Sequence, residues 1–210
     1  MRKHFDDTRI GHSLSLITDI IYAGILWFVF SIPIISLGPA STALYYVTVK
    51  SIRHERGSLT KSFLSAFKQN FFPSLKLWLI YILYIIVFIA NNYALNQMDN
   101  ASAFMSMLVK LMFIPALLPL PWIFAYVSRF ENNTRNSIRY VYYICIKNLG
   151  KTLSLLALLL LALAISWLLP AIAPLLPGAL CLAMSYIIEP VFKDISKQSD
   201  DNNSDQWYNE

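Results

Sequence analysis

Charge is what this sequence has least of. Only 14% of its 210 residues are Asp, Glu, Lys or Arg, against roughly a quarter in ordinary soluble domains. A water-soluble fold of this size sets narrow apolar stripes against charged faces, and this chain lacks the charge to do so. Cysteine is nearly absent. Cys145 and Cys181 give no CxxC spacing and no disulfide framework, so each reads as a buried small hydrophobe. The histidines, His4, His12 and His54, lie outside the apolar runs and beside no Ser or Cys arranged as a nucleophile. HExxH, GxSxG, a glycine-rich phosphate loop and paired acids within a span are all missing. That argues against an intramembrane protease, an ATPase or a metal transporter. The expectation is a protein that is not an enzyme and carries no cofactor or metal.

What is present is hydrocarbon, in blocks. Apolar residues make up 57% of the chain. Uncharged stretches run over Ile20–Val49, Leu77–Leu95, Leu111–Val127, Thr152–Leu169 and Pro170–Ile188. About 20 such residues carry a helix across a hydrocarbon core of roughly 30 Å. The chain therefore reads as an all-α, polytopic transmembrane helical bundle. Arg2, Lys3, Asp6, Asp7 and Arg9 precede an apolar run too long for a cleavable signal, so the run is expected to stay as the first span. The net charge of +5 fits orientation in the membrane and contact with anionic lipid; nucleic acid is set aside.

Thirty uncharged residues from Ile20 to Val49 are too many for one comfortable crossing. Pro33 and then Gly38-Pro39 interrupt them, at positions where proline removes a backbone donor and glycine permits a turn. Two short segments, near 14–32 and 39–54, form the natural reading. Lys and Arg number three before the first run, five in Lys50–Lys68, five in Arg129–Lys151 and two after Glu189. The loops Asn91–Ala103 and around Pro170 hold none. If the first run crosses twice, all fifteen of these charges share one side, which the positive-inside rule makes cytoplasmic. The expectation is thus about six membrane segments, the first two a short hairpin, with both termini inside. A re-entrant first segment gives the same charge pattern. Residues 1–195 form one integral membrane domain, and 196–210 a polar, mostly acidic tail too poor in apolar groups to fold.

Two stretches have the pattern of helices lying at the interface. Leu59, Phe63, Phe67 and Phe71 recur every four residues, while Lys61 and Lys68 avoid that stripe. Ile138, Val141, Tyr142, Cys145 and Leu149 trace one face of a second helix that also carries Arg135, Arg139 and Lys147. Aromatic and basic groups on opposite faces suit the boundary between acyl chains and headgroups. Arg53, Arg56, Lys61, Phe63, Phe67, Lys68, Arg135, Arg139 and Lys147 are accordingly the candidates for contact with lipid or a partner. Both stretches end on an Asn followed by an apolar residue, Asn70-Phe71 and Asn148-Leu149, which hints at an internal duplication.

Polar groups at membrane depth are functional candidates. Asp19 is either an ion or substrate contact or an interfacial carboxylate with a local partner. Glu189, just before Pro190, either pairs with a loop Arg or Lys or takes part in transport. Lys110 can snorkel outward. The prolines from Pro115 to Pro121 and from Pro170 to Pro177 break the later spans. Broken helices can line a cavity, and they are also tolerated where neighbours satisfy the backbone.

The stretch Ile34-Ile35-Ser36-Leu37-Gly38-Pro39-Ala40-Ser41-Thr42-Ala43-Leu44-Tyr45-Tyr46 resembles the most recognisable segment of the YesL-like family of small bacterial membrane proteins. The likeness continues through Glu55-Arg56-Gly57, Phe63 to Phe71, Asn133 to Asn136 and Glu189-Pro190-Val191-Phe192; Ser36 stands where Thr is more usual. The resemblance implies the bacterial cytoplasmic membrane and an association with carbohydrate uptake. It carries over no catalytic or binding residue. The Glu-Ala-Ala…Gly loop by which importer permeases dock their ATPase has no counterpart here. The expectation is an accessory protein of a sugar importer, whose permease or ATPase would be its partner. A small autonomous transporter is the alternative. The sequence leaves the oligomeric state open.

Overall fold

The computed structural model describes residues 9–97, 103–130 and 133–198. Every regular element among them is helical. α1 (Arg9–Ser31) turns into α2 (Leu37–Val47), which runs on to Arg53 as a widened π-helical stretch. After a loop come α3 (Leu59–Gln69) and, almost without a break, α4 (Phe71–Asn96). α5 (Ala103–Leu111), α6 (Ile114–Leu117) and α7 (Leu120–Arg129) form one interrupted rod. α8 (Thr134–Lys147), α9 (Leu149–Leu168) and α10 (Leu176–Gln198) complete the bundle. The tail expected beyond Ser196 lies almost wholly outside the described residues, and α10 itself continues to Gln198.

Among the described residues, five stretches are long and apolar enough to cross a membrane: Leu14–Ser31, Phe71–Asn96, Phe104–Arg129, Leu149–Leu168 and Leu176–Ser196. Leu83, Leu160, Leu163 and Trp167 stand outward on them, as side chains do when the surrounding solvent is hydrocarbon. The protein is an all-α membrane bundle. Where six segments are expected, the sixth is α2, short and of another kind. Ala40, Thr42, Ala43 and Val47 are wholly enclosed by neighbouring helices. A hydropathy count cannot separate a helix buried in protein from one buried in lipid.

The hairpin between α1 and α2 is pinned by polar groups. Ser36 donates to the carbonyls of Phe30 and Pro33, and the Trp27 indole donates to Ser41 Oγ at 3.1 Å across the two helices. Pro33 sits in the turn as expected, but Gly38-Pro39 does not. Both lie inside the first turn of α2, where proline needs no backbone donor. Gly38 answers a packing need instead. A Cβ there would come within 2.7 Å of Trp78 Cβ and 3.0 Å of the Ser74 carbonyl, so α4 can approach α2 only at a glycine. Prolines also open α6 and α7, as the broken-span reading requires.

Two parts of the chain are built alike. Pro39, Thr42, Tyr46, Val47 and Thr48 of the first match Pro119, Trp122, Tyr126, Val127 and Ser128 of the second in identity or spacing. Each of these helices leads to an amphipathic helix that ends on asparagine. Asn70 turns its side-chain amide onto the Ala66 carbonyl, and Asn148 does the same to Ile144. Four residues further on, Ser74 and Thr152 are completely buried. Ser74 Oγ pairs with Thr42 Oγ1 at 2.8 Å, and Thr152 Oγ1 accepts from the Trp122 indole at 3.1 Å. Phe63 and Val141, Ala66 and Ile144, and Leu77 and Leu155 are buried in corresponding places. The units α2–α3–α4 and α7–α8–α9 are an internal duplication.

The duplication corrects the reading of the amphipathic helices. Phe63 is fully buried, and its ring meets those of Phe30 and Phe67. Phe67 lies between Phe30 and Phe71. The apolar stripe of α3 therefore leans on the protein: Phe63 is enclosed and reaches neither lipid nor a partner, while Phe67 is half-buried. On α8, Val141, Ile144 and Cys145 are likewise turned inward.

Candidate functional site

Glu189 stands just past the middle of α10, and its side chain is almost entirely removed from solvent. A lone carboxylate at such a place would be far from its preferred solvent, so its surroundings must supply compensation. Three elements converge to do so. Arg129, the last residue of α7, forms an ion pair with it through Nη2 and Oε2, and Arg129 Nε donates to Oε1 at 3.2 Å. This two-point contact uses the planar fork of the guanidinium. The Tyr45 hydroxyl, from the last turn of α2, donates to the same Oε1 at 2.7 Å. One buried carboxylate thus ties α2, α7 and α10 together.

A second arginine works beside the first. Arg53 closes the π-helical extension of α2, and its Nη1 donates to the Ser185 carbonyl at 3.0 Å. Its guanidinium lies 4.7 Å from the centre of the Tyr186 ring. Pro190 follows immediately and offers no N–H to the Tyr186 carbonyl, so α10 is weakened where both arginines grip it. The surroundings are strongly positive. His54 is held below its ordinary pKa by burial first, then by Arg53, Lys193, Arg129 and Arg56.

Above this polar knot lies a cavity of about 460 Å³. Its walls include Trp27, Leu44, Trp78, Phe124, Met184 and Ile188, and one face of α9 closes it with Leu159, Ala162, Leu163 and Ser166. Tyr45 belongs to both places: its ring lines the cavity, while its hydroxyl binds Glu189.

The other sequence candidates fall into separate groups. Lys61, Lys68, Arg135, Arg139 and Lys147 are exposed on α3 and α8, and Arg56 is exposed in the loop before α3. Arg53 is drawn into the protein by α10 rather than presented outward. Asp19 is half-buried on α1. Cys145 packs against the Leu118 carbonyl, and burial pushes its thiol up to about 12, which leaves it inert. Among the described residues no group of His, Cys, Asp and Glu could hold a metal.

Sequence reasoning missed Tyr45 and did not join Arg129 to Glu189. The usable signal was solitude: each is the one charge at the end of a long uncharged run. A lone acid and a lone base at such ends are natural partners. A family model described as "Protein of unknown function, DUF624" matches residues 20–92. That region holds α2, its π-helical extension, Tyr45 and Arg53, and stops before Arg129 and Glu189. No curated protein and no solved structure matches the chain.

Proposed function

We propose that this chain is a non-enzymatic accessory protein of a bacterial carbohydrate importer, seated in the cytoplasmic membrane with its basic end inward. The observation that carries the reading is the division of labour on α8. Its apolar face is taken up by the bundle, while Arg135, Arg139 and Lys147 project outward beside exposed Tyr140 and Tyr143. Thr134–Lys147 contains no acid to neutralise them. A positive aromatic surface held rigidly on a folded support is suited to recognising an acidic patch on a partner. The resemblance to the YesL-like family, supported by the DUF624 match over residues 20–92, directs the partner reading toward a sugar importer's permease or ATPase.

The buried site suits this role better than that of a sugar path. Apart from Ser166 and Cys181, the polar side chains lining the cavity have their hydrogen-bonding atoms engaged within the protein. A sugar would find few partners there. Replacing Arg135, Arg139 and Lys147 together with Gln is expected to reduce sugar uptake while the protein stays at its normal level in the membrane. Mild-detergent purification should recover importer subunits with the native chain and lose them with the triple variant. Unaltered uptake and unaltered recovery would defeat the α8 reading. Solute flux through liposomes holding the purified chain alone would favour a carrier instead.

A further inference from the structure

We propose that the cavity beside α9 is a binding site for the hydrocarbon chain of a membrane lipid. Its volume of about 460 Å³ lies within the roughly 300–1,000 Å³ of small-molecule sites. Its polar lining is satisfied within the protein except at Ser166 and the weakly polar Cys181. Trp27 donates to Ser41, Ser41 to the Leu37 carbonyl, Trp78 to the Ile34 carbonyl, and Tyr45 to Glu189. Such walls repel water, since a buried water needs two or more free polar partners. They offer no charge or hydrogen-bonding array to a polar solute.

Access points to the same occupant. The walls belong mainly to helices long and apolar enough to cross a membrane. Phe28 of α1 and Leu163 of α9 line the cavity and are also exposed on the outer flank of the bundle. The medium that meets that flank is acyl chain. The duplication explains why the space exists. In the first unit Gly38 lets α4 close onto α2. At the matching place before Pro119 the second unit carries Leu118, and α9 faces the space through Leu159, Ala162 and Ser166. The space is therefore a built difference between two otherwise similar units.

The test uses full-length protein in phosphatidylcholine vesicles containing a phosphatidylcholine with a photoreactive group at mid-chain. After illumination, labelled residues are mapped by mass spectrometry. Met184 and Cys181 are each less than a tenth exposed and line the cavity, so label on them reports a chain inside it. The expected result is label on both, lost in Ala162→Trp, which fills the cavity from α9. It should be retained in Leu161→Trp, which places the same indole on the outer face of the same helix. Should Ala162→Trp fail to accumulate, Ser166→Phe fills the same face with less bulk and must give the same loss. Label confined to outward residues such as Leu83 and Leu160, or label on Met184 unaffected by filling, would overturn the proposal.

Discussion

The units α2–α3–α4 and α7–α8–α9 share a plan and differ in how tightly they close. In the first, a glycine at the crossing and a pair of small hydroxyls, Thr42 and Ser74, bring α2 and α4 together. In the second, Trp122 replaces the small threonine and spans to Thr152, and Leu118 stands where the glycine was. Small residues at a crossing let helix backbones approach, and large ones keep them apart. The same topology thus yields a half that closes tightly and a half that closes less tightly. The ends differ as well. Arg53 meets a backbone carbonyl of α10, whereas Arg129 meets a carboxylate.

That last difference gives the largest expected effect. Arg129→Ala leaves Glu189 charged and enclosed, and breaking a buried pair in this way costs about 3–5 kcal/mol. Arg53→Ala removes a donor to a carbonyl on a less enclosed side chain and should cost clearly less. Thermal unfolding in detergent compares them. Replacing both Arg129 and Glu189 with Leu should recover most of the loss; equal losses for the two arginines would erase the distinction between the units. Next in size is Gly38→Leu, which gives the first unit the residue of the second. The added atoms meet Trp78 and the Ser74 carbonyl, and overpacking of this kind costs about 1–3 kcal/mol. A neutral result would mean that α4 moves off freely.

The hydroxyl contacts should rank in the same direction. Thr152→Val strands the Trp122 indole N–H in the interior, for a loss of about 1–2 kcal/mol. Ser74→Ala should lose less, because Thr42 still reaches the Gly38 carbonyl. The smallest effect concerns His54. Its folded pKa is lowered, so protonation favours the unfolded chain. Stability is present above the ordinary histidine pKa of about 6.5 and falls as pH drops below it. His54→Gln should flatten that acid-side decline in a pH series of unfolding temperatures. A decline that persists unchanged assigns it to other groups.

Much of this was legible before any coordinates. Blocks of uncharged residues mark the helices, Pro33 marks the hairpin turn, and the later prolines mark the breaks. The two Asn-terminated helices already hinted at the duplication. The rest of the repeat was hidden because Pro39 to Asn70 is two residues longer than Pro119 to Asn148, so no single offset aligns both halves. The inward turn of Phe63 was not legible, since a stripe of phenylalanines has the same pattern against lipid or against protein. The cavity was invisible for a related reason: space is a property of pairs of helices, and each lining residue alone is an ordinary apolar one.

The ion pair on α10 also sets an order on how the molecule is made. Glu189 follows Arg129 by 60 residues and Tyr45 by 144. As a ribosome feeds the chain into the bilayer, the arginine enters long before its carboxylate exists, and it must be kept wet or at the surface until then. Only the arrival of α10 lets that end of the bundle dry out. Insertion of α10 and closure of that end of the interior are therefore one event, and a product truncated ahead of α10 would carry a conspicuous charge for the cell's proteases to find.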